Sequence, residues 1–131
     1  MAKFKVKPLV QETAETFRVG TKAAPLKDAD RRKLVSLGED GSQVVLGAAD
    51  GEIFGYLSSV ESGATVDGYK IGGVITTGYA EVDTGDLEVG DLVVIDSNPA
   101  SGTPGLTKVK EAPATVTYKW QVVDTGVIRK V

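Results

Sequence analysis

The distribution of glycine constrains the fold of this 131-residue chain more than any other feature. Of its 16 glycines, Gly20 alone lies in residues 1–37, and the other 15 lie in residues 38–131. Short runs of β-branched and apolar residues separate them, which is typical of strands joined by tight turns. After the first third, no apolar spacing of 3.6 residues is long enough for a helix. The pattern predicts an all-β protein, a small β-barrel or sandwich of about seven or eight short strands.

Side-chain alternation locates several of these strands. The clearest one has an apolar face made of Val116, Tyr118, Trp120 and Val122. Further strands are predicted at residues 53–60, 92–95 and 127–131. Gly55 is expected to form a bulge or bend, and the run at 92–95 is apolar on both faces, as in a central strand. Trp120 is predicted to be a core anchor, the alternative being an exposed binding platform.

Two less regular segments carry their own predictions. Residues 98–105 are rich in proline and glycine and are expected to form the longest loop, which we predict to be mobile. Residues 25–33 can hold one short helical turn, capped by Asp28 or Asp30.

Two absent residue types exclude most familiar active sites. The chain has no cysteine and no histidine, so disulfides, thiolate chemistry, serine–histidine triads and most zinc sites are excluded. A cluster of carboxylates remains, made of Asp83, Asp86, Glu88 and Asp91. Paired carboxylates can hydrolyse glycosides, but these lie beside glycine or threonine, where acidic residues favour turns. We therefore predict no catalytic residue, no metal and no cofactor, and expect that the chain is not an enzyme.

The net charge of −3 conceals a strong asymmetry. Residues 1–35 contain nine Lys or Arg and four Asp or Glu, a net +5, whereas residues 36–131 contain six and fourteen, a net −8. An acidic body repels phosphate, so we predict that it does not contact nucleic acid. The basic first third can meet an acidic surface, on nucleic acid or on protein. No apolar run approaches the ~20 residues of a membrane helix, so no membrane partner is expected.

The lysine-rich beginning of the chain predicts a two-part organisation. Residues 1–27 are predicted to be an extended, basic N-terminal arm, and residues 28–131 a β-rich domain. Pro8 limits the alternating start of the arm to an edge strand. The predicted contact residues of the arm are Lys3, Phe4, Lys5, Val6, Lys7, Pro8, Leu9 and Val10. Two alternatives remain open, a solvated leader and an arm folded back onto its own body.

Four segments carry a family resemblance. They are GEIFGYLSSVE at 51–61, VDGYKIGGV at 66–74, LEVGDLVVI at 87–95, and the lysine pair at 108–110 followed by the last two strands. Together they resemble the capsid decoration proteins of tailed bacteriophages. Residues 30–37, DRRKLVSL, are also similar to the Asp-x-x-Lys-x-Val pattern that precedes the first body strand of that family. The order and spacing of these segments carry the resemblance, which spans residues 28–131.

The resemblance implies a structural protein of the virion. Such proteins, also called cement or head-stabilising proteins, bind the outer surface of an icosahedral head and bridge neighbouring major capsid proteins. It implies a homo-oligomer, a trimer being favoured over a dimer, and an arm that reaches neighbouring subunits. It also implies a location on the outer capsid surface after synthesis in the host cytoplasm. Two other functions stay open, a carbohydrate-binding β-sandwich with an exposed aromatic platform and an enzyme that uses Asp83–Asp91.

Overall fold

The computed structural model of the chain describes residues 14–66 and 68–131, and it confirms the all-β prediction. Within this part of the chain there are ten strands and one 3-10 turn, Asp28–Asp30, where the sequence predicts a short helical turn. The strands outnumber the expected seven or eight because one lies in the segment assigned to the arm and several have only three to five residues. None of the described residues belongs to a helix that is long and apolar enough to cross a membrane.

The first half of the chain forms a closed barrel. Its strands are β1 (Ala14–Val19), β2 (Leu34–Leu37), β3 (Gln43–Leu46), β4 (Gly55–Val66) and β5 (Tyr69–Ile75). They follow one another around the barrel in the order β1, β3, β2, β4, β5. β1 closes the ring, since it pairs antiparallel with β5 and, over two residues, parallel with β3. Phe17, Val19, Val35, Leu57 and Val74 are buried inside the barrel.

The position of β1 corrects the predicted boundary between arm and domain. Residues 14–27 were assigned to the arm, but Phe17 and Val19 point into the barrel, and Leu26 is also buried there. The two inward residues alternate with exposed Thr16 and half-buried Arg18, which is the pattern of a strand with one face on a core. The β-rich domain therefore includes residues 14–27. Residues 1–13 of the predicted arm, here called the leader, lie outside the described residues.

The second half of the chain builds a second core beside the barrel. β6 (Tyr79–Glu81), β10 (Val127–Lys130) and β9 (Trp120–Asp124) form one sheet, and β7 (Val93–Ser97) pairs with β8 (Lys108–Glu111). Isolated bridges from Leu92 to Gln121 and from Asp83 to Lys108 connect the two sheets. These strands enclose an apolar cluster that includes Val82, Ile95, Val109, Trp120 and Ile128.

Trp120, expected as a core anchor, has no exposed surface and lies within this second cluster. Its indole Nε1–H has no hydrogen-bond acceptor among the described residues. An unpaired buried donor costs about 1–3 kcal/mol, which the large apolar surface of the indole ring offsets.

β2 lies between the two cores and contributes a side chain to each of them. Successive side chains of a strand point to opposite faces, so Leu34 enters the cluster around Trp120 and Val35 enters the barrel. Both side chains are fully buried. A strand buried on both faces requires consecutive apolar residues, which the Leu34–Val35 pair supplies.

The remaining strand predictions are partly correct. The final strand at 127–131 and the strand at 92–95 are present as β10 and β7, and Gly55 begins β4. The strand predicted from residue 116 starts only at Trp120. The reason is a contact with a distant residue, because the backbone N–H groups of Thr117 and Tyr118 donate to Glu52 Oε1, at 2.7 and 2.9 Å. A carboxylate from another part of the chain thus takes the donors that a strand partner would need.

Glycine at position 72 permits the close approach of β4 and β5. A Cβ atom there would lie 2.2 Å from the backbone oxygen of Ser59, whereas one at Gly41 would have no neighbour within 4 Å. We expect Gly72→Ala to lower the free energy of unfolding by roughly 1–3 kcal/mol, as overpacking does. Gly41→Ala, the control, should stay within about 0.5 kcal/mol of the parent chain. Urea unfolding measures both, and equal midpoints for the two variants would contradict this barrel packing.

Candidate functional site

Some of the predicted site residues lie within the part of the chain that the structure describes, and others lie outside it. The arm residues Lys3, Phe4, Lys5, Val6, Lys7, Pro8, Leu9 and Val10 lie outside the described residues. Their contact role therefore stays a prediction. The carboxylates proposed for an enzyme and the surface of the β-rich domain can both be described.

The carboxylates between residues 83 and 91 serve turn geometry. Asp83 Oδ1 accepts a hydrogen bond from the backbone N–H of Gly85 at 3.0 Å, and Asp91 Oδ2 accepts one from Glu88 at 2.9 Å. Asp83, Asp86 and Glu88 are exposed to solvent. Over residues 14–66 and 68–131, no group of three or more acidic residues is arranged to hold a metal ion.

Other exposed acidic residues pair with basic groups or backbone donors. Asp40 accepts from the Arg18 guanidinium at 2.6 Å and from the side chain and backbone of Ser42, which together lower the pKa of Asp40 to about 2. Asp50 accepts a hydrogen bond from Lys110, and that bond raises the pKa of the Lys110 ammonium. These carboxylates therefore hold strands and turns together across the surface.

An open groove of about 730 Å³ lies where the 3-10 turn meets β4 and the end of the loop at 98–105. Its lining includes two positively charged residues, Arg31 and Arg32, and one carboxylate, that of Asp28, together with Tyr56 and Ser58. Leu106, which is 37% exposed, adds an apolar surface. A groove of this composition suits a ligand or partner that combines negative charge with a small apolar group. We call it the arginine groove.

The two arginines of the groove differ in their pairing. Arg31 Nε lies 3.3 Å from Asp28 Oδ1, and both side chains are exposed, so this ion pair contributes little to stability. Arg32 is exposed and has no ion-pair or side-chain hydrogen-bond partner among the described residues. Its charge is therefore available to a ligand or partner.

The backbone of Arg32 is strained. Its φ of 78° lies in the left-handed region, which costs a non-glycine residue on the order of 1–3 kcal/mol. The conformation is stabilised by a hydrogen bond of 2.7 Å from its N–H to the carbonyl of Leu57. It reverses the chain so that Arg32 is exposed while the next residue, Lys33, is fully buried.

Beneath the groove lies a buried ion pair between Asp30 and Lys33. Neither side chain has exposed surface, and Lys33 Nζ lies 2.8 Å from Asp30 Oδ1. The ammonium also donates to the backbone carbonyls of Ala100, at 2.9 Å, and Pro99, at 3.4 Å. All three donors of the ammonium are therefore used, two of them on the loop at 98–105.

The Asp30 carboxylate is equally well satisfied. Its oxygens accept from the backbone N–H groups of Lys27 and Gly102, each at 2.8 Å, and from the Ser101 hydroxyl at 2.9 Å. Burial by itself raises the pKa of Asp30. The hydrogen bonds, that of Lys33 foremost, together lower the pKa by more than burial raises it, so the net shift is downward. The carboxylate caps the 3-10 turn through Lys27, as the sequence predicts for Asp28 or Asp30.

Loop 98–105 is held in place at its start as well. The Asn98 amide donates to the carbonyl of Gly47 at 2.6 Å, and Asn98 Oδ1 accepts from the buried Thr107 hydroxyl. Thr107 in turn accepts from the backbone N–H of Leu34 at 2.9 Å. The loop therefore has polar partners in residues 30–34 and at Gly47, which its proline and glycine content did not indicate, and its mobility stays a prediction.

The Asp-x-x-Lys-x-Val pattern at residues 30–35 acquires a physical meaning from these contacts. Asp30 and Lys33 form the buried pair, and Val35 packs inside the barrel. The arginine groove itself was not anticipated from the sequence. The adjacent Arg31 and Arg32 were a visible signal, but Leu106 meets them only through the fold.

Removing one partner of the buried pair leaves the other charge uncompensated. We expect Asp30→Asn to lower the free energy of unfolding at pH 7 by about 3–5 kcal/mol. Asp28→Asn in the same turn is the control, because that carboxylate is 77% exposed and should change stability by no more than about 0.5 kcal/mol. Urea unfolding measures both variants, and similar losses in the two would contradict the special role of Asp30.

The lowered pKa of Asp30 also predicts a pH dependence. A carboxyl group whose folded pKa lies below its unfolded value, 3.8, stabilises the fold above that value. This stabilisation is lost as the pH falls below 3.8 and through the folded pKa. The free energy of unfolding of the parent chain should therefore fall more steeply below pH 4 than that of Asp30→Asn. Equal slopes from acid titrations followed by Trp120 fluorescence would contradict the assignment.

Comparison of the chain with protein-family models, with curated protein sequences and with solved structures finds no match in any of the three. The function proposed below therefore rests on the residues, the resemblance described under the sequence and the geometry of the β-rich domain.

Proposed function

We propose that this chain is a structural protein of a tailed-phage virion. It binds the outer surface of the icosahedral head and stabilises the head by bridging neighbouring major capsid proteins. It associates with copies of itself, and its leader contacts the capsid or a sister subunit. The observation that carries the proposal is the continuity of the basic leader with β1, a strand of the closed barrel.

This continuity gives the leader a firm anchor. Ala14 to Arg18 pair in register with Ile75 to Ile71 of β5, and Arg18 and Val19 pair with β3. Phe17 and Val19 are buried inside the barrel. A load on the leader would therefore act along a strand that is hydrogen-bonded on both sides and packed into a core. Such an anchor suits a protein that must resist the expansion of the shell it binds.

The leader also has the length and chemistry for a contact with a neighbour. Thirteen residues span at most about 45 Å when extended. Lys3, Lys5 and Lys7 alternate with apolar residues. A segment of this kind can add a strand to the sheet edge of a neighbour, which provides main-chain hydrogen bonds with few demands on side chains. Repeated copies on a shell would then bind firmly through multivalency.

The charge of the domain is consistent with this role. Residues 36–131 have a net charge of −8, which favours solubility at the high copy number that a shell requires. Its acidic residues at 40, 50, 83 and 91 stabilise turns and strand contacts, as described above.

The carbohydrate-binding alternative needs an exposed aromatic face. Trp120 has no exposed surface, which counts against that role for the tryptophan. Phe54 packs edge-on against both Phe17 and Tyr118, with ring centroids 5.4 and 5.3 Å apart. Arg18 and Lys22 lie over the ring of Tyr69, at 4.9 and 5.5 Å from its centroid. These rings make contacts within the domain, so the decoration role is the one we propose.

Truncation before Ala14 removes the leader and keeps all ten strands of the described structure. A chain starting at Ala14 retains every residue of β1, and its free energy of unfolding should stay within about 0.5 kcal/mol of that of the full chain. We expect it to bind expanded heads, prepared from the encoding phage without this protein, at least about tenfold more weakly. Co-sedimentation with the heads measures the binding.

The matched control keeps the leader and changes the domain. Lys119→Gln with Arg129→Gln removes two exposed positive charges and should bind heads as the full chain does. Replacing Lys3, Lys5 and Lys7 with Gln separates charge from length. Equal decoration by the truncated and full chains would refute the role of the leader, and no decoration by the full chain would refute the proposed function.

A further inference from the structure

A second feature of the surface has a charge opposite to that of the arginine groove. Val89 is 71% exposed, the highest value among the large apolar side chains that the structure describes. Exposed Asp86 and Glu88 lie beside it in the chain, and half-buried Asp91 follows. We call residues 86–91 the valine turn. It presents one small apolar side chain within a set of carboxylates.

Hydrogen bonds fix the shape of the valine turn. The backbone N–H of Glu88 donates to Asp91 Oδ2 at 2.9 Å, and the N–H of Asp91 donates to the Glu88 carbonyl at 3.1 Å. The N–H of Gly90, whose φ is 103°, donates to the carbonyl of Val122 in β9 at 2.8 Å. Val89 is therefore held at a defined position before any partner arrives, which reduces the entropy cost of binding.

The arginine groove is preformed in the same sense. The buried Asp30–Lys33 pair holds the loop that precedes Leu106, and the Arg32 backbone is bonded to Leu57. The groove offers the guanidinium of Arg32, which has no ion-pair partner among the described residues, and the exposed face of Leu106. A second guanidinium, that of Arg31, is paired with the exposed carboxylate of Asp28, so the groove keeps a net positive charge. Its charge and apolar surface are the complement of those on the valine turn.

We infer that the arginine groove receives the valine turn of a second copy of this chain. Val89 packs against Leu106, and the carboxylates of Asp86 and Glu88 pair with Arg32 and Arg31. This inference deepens the self-association in the proposed function and rests on it to that extent. It names the two surfaces through which one copy meets the next.

Charge favours this occupant over the leader of the same chain. The lysines of the leader would be repelled by Arg31 and Arg32, whereas the turn of another copy supplies carboxylates. One groove and one turn form a small contact, below the ~1,200 Å² of a standard stable interface. The association should therefore be concentration-dependent and weakened by salt, since exposed charges are screened.

Sedimentation velocity of the full chain, without heads, tests this contact. The parent chain should form species larger than a monomer as its concentration rises, and raising the salt from about 0.05 to 0.5 M should weaken the association by roughly tenfold. Arg31→Glu with Arg32→Glu should weaken it at least as much, and so should Asp86→Lys with Glu88→Lys. Lys119→Glu with Arg129→Glu changes the net charge by the same amount as the groove variant and should leave the association unchanged.

Mixing the two reversed variants gives the sharpest result. Each variant alone has a groove and a turn of the same charge, but in the mixture every groove can meet a turn of opposite charge. Assembly should therefore be restored in the mixture and in neither variant alone. Circular dichroism establishes that each variant is folded, and Arg32→Gln and Val89→Ser, each measured alone, replace any that is not.

Three outcomes would overturn the inference. The inference fails if the parent chain is monomeric at every concentration, and it fails if both reversed variants assemble as the parent does. A loss confined to the groove variant would show that the groove binds another part of its partner. Head binding is measured separately through the leader truncation, so failure of this contact is distinguishable from failure of the decoration role.

Discussion

The buried ion pair between Asp30 and Lys33 organises the surface of this protein. An ion pair in a protein interior is costly unless every donor and acceptor has a partner. Here the ammonium donates to two carbonyls of the 98–105 loop, and the carboxylate accepts from that loop and from the 3-10 turn. Two segments separated by about 70 residues of sequence are thereby held together, and the arginine groove lies where they meet.

The barrel and the second core share one strand, β2. β2 sends Leu34 to the cluster around Trp120 and Val35 into the barrel, and the pair lies immediately after Lys33. The strained Arg32 lies between the two residues of the ion pair, and β2 begins directly after them. Loss of the Asp30 carboxylate would therefore also affect the packing of both cores, because its partner Lys33 directly precedes β2. This explains why we expect the buried pair to matter far more for stability than the exposed pairs do.

The sequence alone predicted the fold class because glycine spacing and side-chain alternation are local signals. The last strand at Val127–Lys130 follows from such a signal. β1 is harder to predict, because its local signal is limited to the alternation of Phe17 and Val19 within a segment rich in basic residues. The start of β9 was missed for another reason, since Glu52 takes the N–H groups of Thr117 and Tyr118 from a distant part of the chain.

The candidate site was harder to predict for the same physical reason. Arg31 and Arg32 are adjacent in sequence, but Leu106 reaches them only through the fold. The Asp-x-x-Lys spacing was recognised as part of a resemblance, and its meaning as a buried pair required the carbonyls of Pro99 and Ala100. Contacts that join distant segments leave no periodic trace in the sequence, whereas strands and turns do.

Hydrogen exchange of the Gly102 amide tests the central claim most directly. That N–H donates to Asp30 Oδ1 at 2.8 Å within a loop that otherwise has the composition of a mobile one. If the buried pair holds the loop, this amide exchanges as slowly as that of Leu57 in the barrel, and Asp30→Asn removes the protection. Exchange of Gly102 at the rate of an unprotected loop amide in the parent chain would contradict it.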